Sequence, residues 1–67
     1  MAIQAEYYEF KECDVSLSRG GTKHLAAGVY PVIVTPMLVT IDIIKQTEIA
    51  PAEFFRLQAQ GLATKRP

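Results

Sequence analysis

Apolar residues dominate the stretch GVYPVIVTPMLVTIDIIK, from Gly28 to Lys45, and their pattern changes along it. From Val29 to Thr35 there is almost no polar face, which predicts a strand that is central or covered on both sides. From Leu38 to Lys45 the pattern alternates: Val39, Ile41 and Ile43 against Thr40 and Asp42. Period two predicts a half-buried strand. Thr35-Pro36-Met37-Leu38 between them reads as a turn with proline at its second position. By length alone, Leu25 to Ile44 carries a single charge and is a transmembrane candidate. The prolines at 31 and 36, the run of β-branched residues and the alternation all favour two strands, and no membrane partner is expected. Pro31 is in tension with a central strand, because it lacks an amide donor.

CDVSLS also alternates, with Cys13, Val15 and Leu17 opposite Asp14, Ser16 and Ser18. Gly20-Gly21 then supplies the positive φ angles of a hairpin, returning through Thr22 to Leu25. Ala26-Ala27-Gly28 reads as a connection. Residues 2–11 fit either a helical face or a strand. Like-charged Glu6, Glu9 and Glu12 would be helix neighbours, so a strand is preferred, with a bulge or break near Lys11–Glu12 where the apolar phase slips. An N-terminal arm over residues 1–11 that orders on binding is the alternative.

The helix signals are the most complete. In IAPAEFFRLQAQGL, Pro51 suits the first helical position, Glu53 the positive helix end, and Ile49 with Phe54 a hydrophobic staple. Gly61 fits the left-handed residue that ends a helix, with Leu57 and Leu62 as the apolar pair of a Schellman cap. A helix over 51–60 follows. Phe54 and Phe55 lie about 100° apart on it, so one small sheet can bury only one of them fully. ATKRP, residues 63–67, reads as a short basic tail. The predicted fold is α+β: a small, mainly antiparallel sheet of about four strands with one C-terminal helix packed on a face, in a single domain over 1–67.

At 67 residues the core is marginal and a staple is expected. One cysteine and one histidine exclude an internal disulfide and a structural zinc site of Cys and His ligands. No cofactor is expected. Cys13 with His24 is the one conceivable nucleophile–base pair, but the alternation places Cys13 on an apolar face, so catalysis is not expected. Assembly with other chains is the staple that remains, as a homo-oligomer or within a larger complex.

Formal net charge is zero, which provides no general field for nucleic acid. The charges are uneven: residues 1–14 hold four carboxylates against one lysine, and residues 15–67 six cations against three carboxylates. Head-to-tail contact between copies is therefore considered, with Glu6, Glu9 and Glu12 of one chain meeting Lys65 and Arg66 of the next. Tyr30, Val32, Val34 and Phe55 are the candidate apolar contact. The first ten residues lack a signal-peptide pattern, and an unpaired cysteine suits the cytoplasm or a particle assembled there. The function expected is a non-enzymatic structural or interaction subunit, for which a phage or other viral particle is one context. The alternative is a small regulator or inhibitor that binds a host protein or nucleic acid.

Overall fold

The computed structural model describes residues 5–42 and 44–66. In chain order it contains β1 (Glu6–Phe10), β2 (Cys13–Ser16), β3 (Thr22–Leu25), β4 (Gly28–Val34), β5 (Val39–Ile41), β6 (Thr47–Ile49), α1 (Pro51–Ala59) and β7 (Ala63–Lys65). Five strands form one antiparallel sheet in the order β6-β5-β4-β1-β7, and β2 with β3 forms a separate hairpin. The α+β expectation stands. The strand count is corrected to seven among the described residues, and the helix is followed by a further strand, so it is not the final element. In the N-terminal stretch, Glu6–Phe10 forms the preferred strand rather than the alternative arm, inside the sheet between β4 and β7; residues 1–4 lie outside the described residues. Ala63–Lys65, expected as tail, pairs with β1 in the register Tyr8↔Lys65, Glu9↔Thr64, Phe10↔Ala63.

Within Gly28–Lys45, β4 is followed by a turn and then β5, and no helix among the described residues is long and apolar enough to cross a membrane. β5 is shorter than the alternation suggested. It stops at Ile41 because Asp42 turns left-handed, with φ of 61°; Ile43 lies outside the described residues.

The same stop resolves the tension at Pro31. Its carbonyl accepts from Asp42 N–H at 2.8 Å, so its hydrogen-bonding side faces β5 at the point where β5 ends. Toward β1 it sits opposite Tyr7, whose own carbonyl faces the other way and accepts from Arg66 N–H at 2.8 Å. The pair Tyr7↔Pro31 is thus a non-hydrogen-bonded one, and no ladder bond to β1 is lost.

The phase slip near Lys11–Glu12 is a break: the chain leaves the large sheet after Phe10 and enters the hairpin at Cys13, with Lys11 N–H held by Leu62 C=O at 2.9 Å. Gly20 and Gly21 have φ of 99° and 80° and close the hairpin through Leu17 N–H to Gly21 C=O at 2.9 Å. Phe10, Val32, Val39, Ile41 and Ile49 from the sheet, Val15 and Leu25 from the hairpin, and Phe54 and Leu57 from α1 share one buried cluster. On the opposite sheet face, Tyr7 and Val29 are exposed.

Both helix ends follow from their sequence. Ala50 is the N-cap in extended conformation, without a side-chain cap, and Pro51 opens the first turn. Ile49 and Phe54 are both in the core. At the other end Gly61 has φ of 73°. Leu62 N–H reaches Leu57 C=O at 2.8 Å and Gly61 N–H reaches Gln58 C=O at 3.0 Å, the two bonds of a Schellman cap. That cap turns the chain directly into β7.

Candidate interaction surface

The staple at the start of α1 aims Phe54 at the sheet, where its ring meets the edge of Tyr8 at a centroid distance of 5.0 Å and 74° between planes. Phe55, one residue on, is carried away from the sheet and is 68% exposed. Opposite it, the last residue of β4, Val34, is 50% exposed. The turn after Val34 is closed by three hydrogen bonds between Thr35 and Leu38. Thr35 N–H donates to Leu38 C=O at 2.9 Å, the Thr35 hydroxyl donates to the same carbonyl at 2.8 Å, and Leu38 N–H donates to that hydroxyl at 3.0 Å. Met37 on this turn is 86% exposed.

Between helix and turn runs a groove of about 570 Å³. Tyr8, Val34, Pro36, Val39, Phe54 and Phe55 supply its apolar walls, and Glu6, Thr35, Pro51 and Gln58 complete it. Its one charged lining residue is Glu6, whose carboxylate pairs with Lys65 and holds that ammonium's pKa above the ordinary lysine value. No nucleophile, base or metal-ligand set converges here. The chemistry on offer is burial of an apolar segment, with a carboxylate at one side.

Three of the residues expected to make contacts, Glu6, Val34 and Phe55, are thus brought to one groove. Val32 is not available to a partner: it is 0% exposed, because β4 lies inside the sheet and this face meets the core. Tyr30 is half-buried. Its ring packs edge-on to Phe10 at 5.8 Å and its hydroxyl donates to Ala26 C=O at 2.6 Å. Tyr30, Val32 and Val34 occupy alternate positions and share one face of β4, and the core ends between buried Val32 and exposed Val34, a boundary that the unbroken apolar run of this segment does not mark.

The charges expected to bridge neighbouring copies are paired within the chain. Glu6 meets Lys65, and Glu9 accepts from Arg66 at 3.0 Å. The cause is β7: its register beside β1 sets each acid diagonal to a base on the same face. Glu12 instead faces His24 Nε2 at 2.8 Å, and Asp14 faces His24 Nδ1 at 2.9 Å. Both ring nitrogens can donate at once only as imidazolium, and the Asp14 and then the Glu12 hydrogen bond raise the His24 pKa. The two nitrogens point to different carboxylates, so these side chains do not converge on one point, and no metal-ligand cluster is found among the described residues.

Cys13 sits opposite Leu25, while Asp14 sits opposite His24. Adjacent strand positions face opposite ways, so Cys13 and His24 are on different sides of the hairpin and do not form a nucleophile–base pair. Burial pushes the Cys13 thiol up, against a smaller lowering by Arg56.

Sequence reasoning missed two further features. Met37 beside the groove was read only as a turn residue. Ile44 is 93% exposed although its neighbours suggested a continuing strand. The chain matches no protein-family model, no curated protein and no solved structure.

Proposed function

We propose that this chain is a non-enzymatic structural subunit that assembles with further copies of itself, in the cytoplasm or in a particle formed there, and buries the α1 groove in doing so. The observation that carries the reading is the exposure of Val34 and Phe55 in the walls of one apolar groove, with exposed Met37 on the turn that follows Val34. Exposed apolar patches of this kind mark association surfaces, and a domain this small gains stability by covering them. The half-buried, unpaired Cys13 fits a reducing compartment.

Sedimentation of the wild type and of Phe55→Asp tests this. The wild type forms a defined oligomer at micromolar concentration, and the variant is a folded monomer with unchanged circular dichroism. A variant that assembles like the wild type contradicts the role of the groove. A wild type that is monomeric throughout contradicts self-assembly and leaves the groove to a different protein.

A further inference from the structure

The cations of this chain fall into two groups. Arg56, Lys65 and Arg66 are each held by a carboxylate of the same chain. Lys11, Arg19, Lys23 and Lys45 take part in no ion pair among the described residues. Three of these four come to one place. A cleft of about 370 Å³ opens between residues 17–19, at the tip of the β2–β3 hairpin, and residues 45–48, which lead into β6. Arg19 lines it from the hairpin and Lys45 from the sheet.

Lys23 reaches the same cleft from below. On β3 it stands opposite Val15, which is fully buried, and shares a face with buried Leu25. Its side chain therefore leaves the hairpin on the side that faces the core and is half-buried. The ammonium donates to the Thr47 hydroxyl at 3.0 Å, and Thr47 is a buried residue of the cleft lining. One of three donors is thus spent on a neutral acceptor, and two remain. Taking a charge out of water costs stability unless a counter-charge is supplied. The nearby acids do not supply it. Alternation on β6 buries Thr47 and Ile49 and sends the Glu48 side chain to the other face of the sheet. The Asp42 carboxylate accepts from Ile44 N–H at 3.3 Å within its own turn.

We propose that this cleft binds a phosphate group, free or at the end of a small ester. Three cations from three separate segments suit a dianion with several oxygens better than a single carboxylate. Arg19 offers a planar fork for two oxygens, and the two ammonium groups add compact charges. The cleft shares no residue with the α1 groove, so phosphate binding does not depend on assembly.

The test is an NMR titration of the full chain with inorganic phosphate at constant ionic strength, with sodium chloride as the exchanged salt. The amide resonances of Gly20, Gly21, Gln46 and Thr47 shift and saturate. Arg19→Gln and Lys45→Gln, both at exposed positions, each weaken binding by about tenfold, as the loss of a charge-assisted hydrogen bond does. Lys11→Gln, at the β1–β2 break and outside the cleft lining, leaves binding unchanged. Circular dichroism checks that each variant is folded. Glycerol phosphate is the second probe: tighter binding than inorganic phosphate assigns the site to an ester, and equal binding assigns it to the free ion. Shifts that rise without saturating, or a Lys11→Gln effect as large as the other two, overturn the proposal. So does binding of a single-stranded oligonucleotide by a chain that does not bind inorganic phosphate, which makes these cations part of a polyanion surface.

Discussion

The Glu53 carboxylate on α1 accepts the backbone N–H of Ser16, at the end of β2, across 2.8 Å. Glu53 is only 11% exposed and is gripped from the other side by Arg56, whose Nε and Nη2 donate at 2.7 and 2.6 Å. One side chain thus ties helix to hairpin while occupying the first helical turn, where a negative charge is favoured. The hairpin is tied to the large sheet as well: Ser18 N–H donates to Glu48 C=O at 2.9 Å, and the Lys23 ammonium donates to the Thr47 hydroxyl at 3.0 Å.

The Arg56 hydrogen bonds, and next the Ser16 N–H, lower the Glu53 pKa, with burial opposing them. Its contribution to stability is therefore complete above the ordinary carboxylate value and disappears as pH falls through the lowered folded value. Glu53→Gln should cost about 1–2 kcal/mol at neutral pH, in line with the loss of charge-assisted hydrogen bonds. Urea unfolding of both proteins at neutral and acidic pH checks this. The gap between them should narrow in acid, and a constant gap contradicts the role given to the charge.

His24 should titrate above the ordinary histidine value, because the charged ring donates to Asp14 and Glu12. Stability from this contact is present below the unfolded-state pKa and is lost as pH rises through the raised folded value. The group is exposed, so the effect on folding is small and a site-specific probe is needed. In an NMR titration of the imidazole protons, Asp14→Asn should bring the midpoint down. An unchanged midpoint means that the hydrogen bond is not the cause.

Cys13 should react slowly with a disulfide reagent at neutral pH, since burial disfavours its thiolate. Denaturant should restore the rate of an unstructured cysteine. Equal rates in the folded and unfolded chain contradict its placement beside the core.

Val32 and Val34 share a strand and a face but have different roles. Val32→Ala should destabilise the fold by roughly 1–2 kcal/mol, through lost burial and the cavity left behind. Val34→Ala should stay within about 0.5 kcal/mol for folding, as an exposed substitution does, while weakening assembly. Chemical denaturation of the monomer and sedimentation separate the two effects; similar folding costs contradict the boundary drawn between core and groove.

The elements legible in the sequence were those whose cause is local. Pro51 and the Gly61–Leu62 pair fixed both ends of α1 because proline geometry and a left-handed glycine leave few alternatives. Gly20 and Gly21 marked the hairpin for the same reason. β6 and β7 escaped notice because TEI and ATK are too short to show a period. What makes them strands is pairing with β5 and β1, which are distant information for a three-residue segment. Missing β7 carried a further consequence for the site: with Lys65 and Arg66 read as tail, Glu6 and Glu9 had no partner but a neighbouring chain. Phe55 was legible as the second of two adjacent phenylalanines on a helix with one buried side. The groove itself was not, because it exists only where that helix meets the far end of β4.

Fluorine NMR of protein carrying fluorinated phenylalanine reports all three rings, Phe10, Phe54 and Phe55, across a dilution series. If assembly buries the α1 groove, the Phe55 resonance shifts strongly with concentration while that of Phe10, in the core, holds still. A Phe55 resonance that stays fixed across a range in which the mass of the protein changes shows that copies meet elsewhere, and contradicts the central claim.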